Sequence, residues 1–337
     1  MNDFNYVQPK SQFEAIEEVA ADVQAKFIAG GTNLIDLLKY NLLEVSSLVD
    51  INNHAVDIVP TETGGLLLSA FATNADTAYH PLIEEGYPLL SRAILAGASA
   101  QIRNMATNGG NLLQRTRCYY FYDHETPCNK RDPGSGCSAI DGYNRTMAIL
   151  GTSDYCIAVF PSDMCVALAA LDAVVHVSGP EGERIIPFHD FHRLPGAAPH
   201  LDNTLLHGEL ITAIALPRKG FNKYYSYLKL RDRNSYAFAL VSVASAFELD
   251  EGIITEARIA LGGVAHKPWR VIAAEDFLKG KTPTRSSFAL AAELIIADAK
   301  TFEHNAFKVE LAKRAIIRNC MMALEPDTQL PGAQPSA

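Results

Sequence analysis

Five of the six cysteines fall between Cys118 and Cys165, spaced C-x9-C-x8-C-x18-C-x8-C, and Cys320 stands apart. Several thiols in a short run supply either a disulfide framework or a metal site. The absence of any C-x2-C pair disfavours a zinc finger, a zinc ribbon and the compact ferredoxin run. The wider spacing suits a 4Fe–4S cluster around which the intervening chain wraps. Asn129-Lys-Arg-Asp-Pro-Gly-Ser-Gly136 offers tight turns and backbone N–H groups for sulfide, with Lys130 and Arg131 as charge against thiolates. Cys165 falls in an apolar helical run, and Cys320 lies among Ile316, Ile317 and Met321, so both read as small buried hydrophobes. The ligand set is then Cys118, Cys128, Cys137 and Cys156, with disulfides or plain buried thiols as the alternative.

Two glycine-rich turns carry the other chemistry. Lys26-Phe-Ile-Ala29 reads as a short buried strand, Gly30-Gly-Thr-Asn33 as a turn, and 34–40 as a helix. A strand, a Gly-Gly turn and a helix start make a seat for a phosphate, because unpaired N–H groups point outward and the helix dipole favours an anion. The text is neither G-x-G-x-x-G nor a P-loop. A plain turn capped by Thr32 or Asn33 is the alternative. The second turn closes Arg103-Asn-Met-Ala-Thr-Asn-Gly-Gly-Asn111, where low side-chain bulk lets a backbone approach a ligand.

Around these turns the pattern predicts helices at 13–23, 88–96 and 164–171, the last capped by Ser162 or Asp163. Strands are expected at 47–51, 65–70 and 209–216, a hairpin at 173–186, and a surface loop at 188–200. A boundary at 217–220 precedes strands at 223–230, 237–249 and 253–261, and then helices at 270–278, 287–300 and 305–324. The tail 326–337 reads as flexible. A length of 337 residues predicts two or three domains. With 48% hydrophobic and 20% charged residues the composition is that of a soluble globular chain. A net charge of −9 argues against nucleic acid, and no apolar run suffices to span a bilayer. The first residues show no signal peptide, so folding in a reducing compartment is expected, which favours metal over disulfide.

The motifs together resemble the FAD-binding subunit of the xanthine dehydrogenase family of molybdenum hydroxylases. The matching text is Lys26-Phe-Ile-Ala-Gly-Gly-Thr-Asn33, Ile102 through Asn111, Pro161-Ser-Asp163, Gly208-Glu-Leu-Ile-Thr212 and Tyr224-Tyr-Ser-Tyr-Leu-Lys229, covering almost the whole chain. The cysteine insert resembles the version in hydroxybenzoyl-CoA reductase-like and bacterial aldehyde oxidoreductase members. The resemblance implies an α+β fold. A PCMH/vanillyl-alcohol-oxidase-type FAD domain would occupy 1–220, with the 4Fe–4S insert at about 115–157. A smaller sheet-plus-helices domain of the CO-dehydrogenase-flavoprotein type would follow at 221–325.

By that likeness Lys26, Phe27, Ile28, Ala29, Gly30, Gly31, Thr32, Asn33 and Leu34 cradle the FAD pyrophosphate. Thr107, Gly110 and Asn111 line the cofactor, Asp163 binds the adenosine half and Ile211 packs against it. Lys229 lies near the isoalloxazine, where a cation stabilises anionic reduced flavin; a solvated strand lysine is the local alternative. The implied assembly is a heterotrimer. A large subunit would carry molybdopterin and a small one 2Fe–2S, and aldehyde would become carboxylate on the partner while electrons reach FAD and an external acceptor. Export to the periplasm would ride on a partner's signal. A hydroxybenzoyl-CoA reductase-like or xanthine dehydrogenase-like role is the alternative within the family, and a self-contained flavin oxidase or a protein with a structural metal are the alternatives outside it.

Overall fold

The computed structural model describes residues 1–234 and 236–326. Apart from Pro326, the tail assigned to 326–337 lies outside the described residues. Three sheets organise the chain. The first is parallel, in the order Asn5–Val7, Ser47–Asp50, Lys26–Ile28. Parallel pairing needs a crossover, supplied by the helix Gln12–Ala21. That helix starts where Ser11 Oγ accepts from the Glu14 N–H, while Glu14 accepts in return from the Lys10 N–H. Its Ala15, Ile16 and Val19 are buried against Val49 and Phe71. The strand Lys26–Ile28 ends at the first Gly-Gly turn, so that turn sits at the carboxyl edge of a parallel sheet. Ligands of open α/β sheets collect at such edges.

The second sheet is antiparallel, in the order Ile58–Pro60, Leu66–Ser69, Leu210–Leu216, Val174–Gly179, Gly182–Pro187. The helices Pro88–Ala96 and Asp163–Ala170 complete its core. The third sheet is also antiparallel, in the order Trp269–Arg270, Ile253–Gly262, Val241–Asp250, Tyr224–Leu230. Its central strand is buried on both faces. Val243 and Phe247 face the helices Ile272–Leu278, Arg285–Ile295 and Phe307–Ala323, with Phe247 stacked on Phe288. Ala244 and Ala246, on the other face, join the core of the second sheet. Small residues there let helices from the N-terminal part approach the sheet closely.

Between Asn111 and Ser162 the chain makes an excursion with its own small core, containing Cys118, Cys128, Cys156, Phe121 and Met147. It is docked onto the C-terminal part through main-chain bonds from Ile149 and Leu150 to Val264 O and from Lys300 to Ile149 O. Lys308, wholly buried, closes the joint: its Nζ donates to the carbonyls of Gly263 (2.6 Å), Met147 (2.8 Å) and Thr146 (3.3 Å).

The α+β architecture is the one the sequence implies. Several details differ, among them the helix expected over 287–300, which runs Arg285–Ile295. The short strands Asn5–Val7 and Ile58–Pro60 carry no periodic pattern, and their place is set by neighbours. The run read as a surface loop opens with the helix Phe188–Phe191, and Phe188, Phe191 and His192 are buried. The strand expected from 237 starts at Val241. The helix expected from 270 starts at Ile272, because Trp269–Arg270 pairs with the sheet edge.

Replacing Lys308 by Met strands three buried carbonyls, which costs on the order of 3 kcal/mol. Urea denaturation followed through Trp269, the single tryptophan, measures it; an unchanged midpoint would remove Lys308 from the joint.

Candidate functional site

The two glycine turns meet backbone to backbone. A Cβ on Gly30 would lie 1.7 Å from the Met105 carbonyl oxygen, so only glycine permits the contact. Gly31 follows at φ +68, in the left-handed region. The next helix, Leu34–Lys39, begins at Asn33 without a side-chain cap. Of its first N–H groups, that of Ile35 donates to Gly31 O at 3.0 Å. Asn33 Oδ1 instead accepts from the Arg115 N–H at 2.9 Å, and its buried Nδ2 has no partner.

On the second turn, Thr107 caps the helix Asn108–Leu112 by accepting from the Gly110 N–H. Asn108 is wholly buried; its amide donates to Thr77 Oγ1 (2.8 Å) and Ser69 O (3.0 Å) and accepts from Asn74 (3.2 Å). Asn111 donates to Asn74 Oδ1 at 2.6 Å and accepts from Ser162 Oγ at 2.6 Å. This network fixes the turn to the helix start at Ser162, which also caps Asp163–Ala170.

Between the turns and the strand Tyr224–Leu230 lies a cavity of about 1040 Å³. That is the upper end of the range for small-molecule pockets, roughly 300–1,000 Å³, and suits a large cofactor. Lys26, Phe27, Ala29, Gly30, Gly31, Thr32, Asn33, Leu34, Thr107, Gly110, Asn111, Asp163 and Lys229 all line it. Ile28 and Ile211 do not. Strand alternation turns Ile28 away from Phe27, towards Leu38 and Leu48. Ile211 is buried in the main core beneath Gly109, so it supports the turn from behind.

Asp163 and Lys229, read from sequence as belonging to opposite ends of a cofactor, form one buried ion pair at 2.7 Å. A single locus on the cavity wall therefore replaces two. Lys229 Nζ also donates to Ala96 O at 3.2 Å, and the Tyr227 hydroxyl donates to Asp163 Oδ1 at 2.7 Å. Lys229 is not solvated: its side chain is 1% exposed. Sequence reasoning missed Arg115 and Asp202, which also line the cavity and pair at 2.7 Å. The one available signal was the basic Arg115 directly beyond the second Gly turn.

Cys118, Cys128, Cys137 and Cys156 converge on a second, small void beside the cavity. Cys128 and Cys137 face each other across an isolated antiparallel bridge. All the cysteines are free thiols. Backbone N–H groups of Ala139, Ile157 and Ile140 point at Cys137 sulfur, that of Ala158 at Cys156, and those of Phe121 and Tyr120 at Cys118. A hydrogen bond from Cys156, helped by those N–H groups, brings the Cys137 thiol below its ordinary range. Burial pushes Cys118 up to about 12. Among the described residues no group of three or more His, Cys, Asp or Glu is arranged to hold a metal ion. Cys118 lines both the void and the large cavity.

Lys130, also on the void, donates to Asp202 Oδ1 and Pro199 O, each at 2.6 Å. The bond Cys156 donates to Cys137, together with burial, holds Cys156 as the thiol and outweighs the nearby Lys130 charge. Arg131 was expected to face the thiolates too, but its guanidinium is spent on the carbonyls of Tyr120, Phe121 and Thr126. Cys165 and Cys320 are wholly buried in helices away from the void.

Comparison with known proteins follows the same division. Residues 2–219 match the FAD binding domain in molybdopterin dehydrogenase, and residues 224–323 match the CO dehydrogenase flavoprotein C-terminal domain. The chain is 48% identical to the aldehyde oxidoreductase FAD-binding subunit PaoB of Escherichia coli K12, across 94% of this chain and 96% of that one. It is 27% identical to the glyceraldehyde dehydrogenase medium chain of Sulfolobus acidocaldarius, across 83% and 82% respectively. Among solved structures it resembles quinoline 2-oxidoreductase from Pseudomonas putida 86, with TM-score 0.74 and 25% identity over 97% of this chain and 99% of that one. Carbon monoxide dehydrogenase from Hydrogenophaga pseudoflava shares the fold, with TM-score 0.75 and 23% identity over 96% and 97%.

Gly30→Ala must push the Met105 carbonyl away and part the two turns. The flavin-to-protein ratio after purification should then fall about tenfold or more, since ~1.4 kcal/mol of distortion suffices for that. Gly86→Ala, where a Cβ meets nothing within 4 Å, should leave the ratio unchanged. Equal ratios in the two variants would dissociate the contact from binding.

Proposed function

The chain belongs to the FAD-binding subunits of the xanthine dehydrogenase, or molybdenum hydroxylase, family, and from that premise we propose that it is the flavin and 4Fe–4S electron-transfer subunit of an aldehyde oxidoreductase. The observation that carries the aldehyde reading is the 48% identity to PaoB over nearly the full length of both chains. The putative xanthine dehydrogenase FAD-binding subunit XdhB of Escherichia coli K12 is 26% identical, which ranks the xanthine reading second.

In this reading the partners are a molybdopterin-binding large subunit and a 2Fe–2S small subunit, in a heterotrimer exported to the periplasm on a partner's signal. Relatives named as medium chains support partners of other sizes. Aldehyde oxidation belongs to the large subunit, and this chain collects the electrons and releases them to an external acceptor. FAD, when bound, supplies a centre that stores two electrons and passes them on.

The residues of this chain hold that cofactor and set its surroundings. The glycine turn Gly30–Asn33 and the uncapped helix start behind it would face the negative pyrophosphate. Thr107, Gly110 and Asn111 shape the opposite wall. The Asp163–Lys229 pair puts a buried cation on the wall at no net charge. Cys118, Cys128, Cys137 and Cys156 fit a 4Fe–4S cluster in kind and number. Their support is the shared void, the free thiols and the N–H groups already aimed at sulfur. A cluster also has a volume of its own, which separates its thiolates further than a single ion does. If the cluster is present, it would supply a one-electron centre.

Visible and EPR spectra with quantified iron, sulfide and FAD test both cofactors at once; one flavin and one cluster per chain are expected. Cys128→Ser should lose iron and sulfide, while Cys320→Ser should keep both. Equal iron in the two variants, or zinc in place of iron, would sink the ligand assignment. Aldehyde should reduce the flavin only in the assembled enzyme. Catalytic reduction in the isolated chain would turn the reading into a self-contained flavin oxidase.

A further inference from the structure

We propose that Tyr227 is a positioning residue that, through Asp163, sets the charge Lys229 presents to the flavin. The proposal rests on the flavin reading above and adds a residue which that reading leaves without a role.

Tyr227 and Lys229 are two apart on the strand Tyr224–Leu230 and so share a face. Lys229 reaches the cavity wall, whereas Tyr227 stands behind it in the main core, 4% exposed. Asp163 divides its two oxygens between them: Oδ1 accepts from the Tyr227 hydroxyl and Oδ2 from Lys229 Nζ, both at 2.7 Å. Ser242, which pairs with Lys229 across the sheet and lines the cavity, is the other hydrogen-bond partner of the Tyr227 hydroxyl. The chain of contacts therefore runs from the cavity at Ser242, behind the wall through Tyr227 and Asp163, and back to the cavity at Lys229.

Burial and the neighbouring carboxylate keep the phenol protonated far above working pH, so its proton stays available to Asp163.

The consequence is electrostatic. A neutral donor on Oδ1 draws carboxylate charge away from Lys229 without changing the net charge of the pair. Remove the hydroxyl, and Oδ1 is left buried without a donor. The carboxylate then presses its full negative charge onto Lys229 and into the low-dielectric cavity, where an anionic reduced flavin is the species most affected.

The test uses the full chain loaded with FAD, within its assembly where that is needed for loading. Tyr227→Phe should hold oxidised FAD about as tightly as the parent. Reduced FAD should bind about tenfold more weakly, read as a flavin potential lower by about 30 mV for a two-electron couple. Asp163→Asn should move the potential the opposite way, by leaving the lysine cation unopposed. The double variant should behave as Asp163→Asn alone, since an effect that acts through Asp163 cannot add to its loss. Ser242→Ala supplies a second probe should Tyr227→Phe fold poorly, and should lower the potential by less. An unchanged potential in both Tyr227→Phe and Ser242→Ala, or additive shifts in the double variant, would overturn the proposal. A parent chain that takes up no FAD would instead overturn the flavin reading on which it rests.

Discussion

The cavity exists because two stretches of main chain touch with no side chain between them. Gly30 lies against the Met105 carbonyl at a distance that would put a Cβ 1.7 Å from its oxygen. One stretch leaves a parallel sheet and the other closes onto an antiparallel one, and among the described residues no ladder joins the two sheets. What holds them in register is local and polar. Arg115, just past the second turn, donates its N–H to Asn33 of the first at 2.9 Å. A main-chain contact of this kind is unforgiving, because backbone cannot swing aside as the end of a long side chain can. Its advantage is reach: residues of both turns line the same cavity.

Buried charge does the rest of the positioning. Lys229 with Asp163, and Lys130 with Asp202 and Arg115, are ion pairs removed from water to different degrees, the first almost completely. Such pairs give little net stability, since desolvation offsets most of the attraction, but losing one partner is costly. They therefore fix geometry more than they add free energy. The Lys130 group is informative in this respect. It ties the cysteine excursion, through Asp202, to Arg115, whose own N–H holds Asn33. A single side chain of the excursion thus reaches the first glycine turn in three contacts.

How much of this the sequence disclosed depends on how local the cause is. The Gly30-Gly31 and Gly109-Gly110 turns are legible because a strand end, a missing side chain and a helix start lie within a few residues of one another. The four cysteines are legible for a related reason: thiols are rare, and their clustering survives without knowledge of the fold. The Asp163–Lys229 pair is not legible, because its members lie 66 residues apart on a helix start and a strand of different sheets. Nothing in either neighbourhood names the other. Ile28 and Ile211 fail for a simpler reason. An apolar residue within a binding motif looks the same whether it faces the ligand or the core, and strand alternation alone decides which.

The position of the excursion also follows from contacts at its ends. Asn111, where it departs, and Ser162, where it returns, are hydrogen-bonded at 2.6 Å although 51 residues separate them. A segment whose ends already touch can be long at small cost, because loop closure entropy rises only with the logarithm of length. The bond between Asn111 and Ser162 thus closes the excursion at its base. Yet the excursion is not independent. Cys118 lies seven residues past Asn111, still on the cavity wall, and Lys308 grips the far side of the loop at Thr146 and Met147. Those two attachments place the thiol pocket between the large cavity and the C-terminal helices, with Cys118 on the wall that the two spaces share.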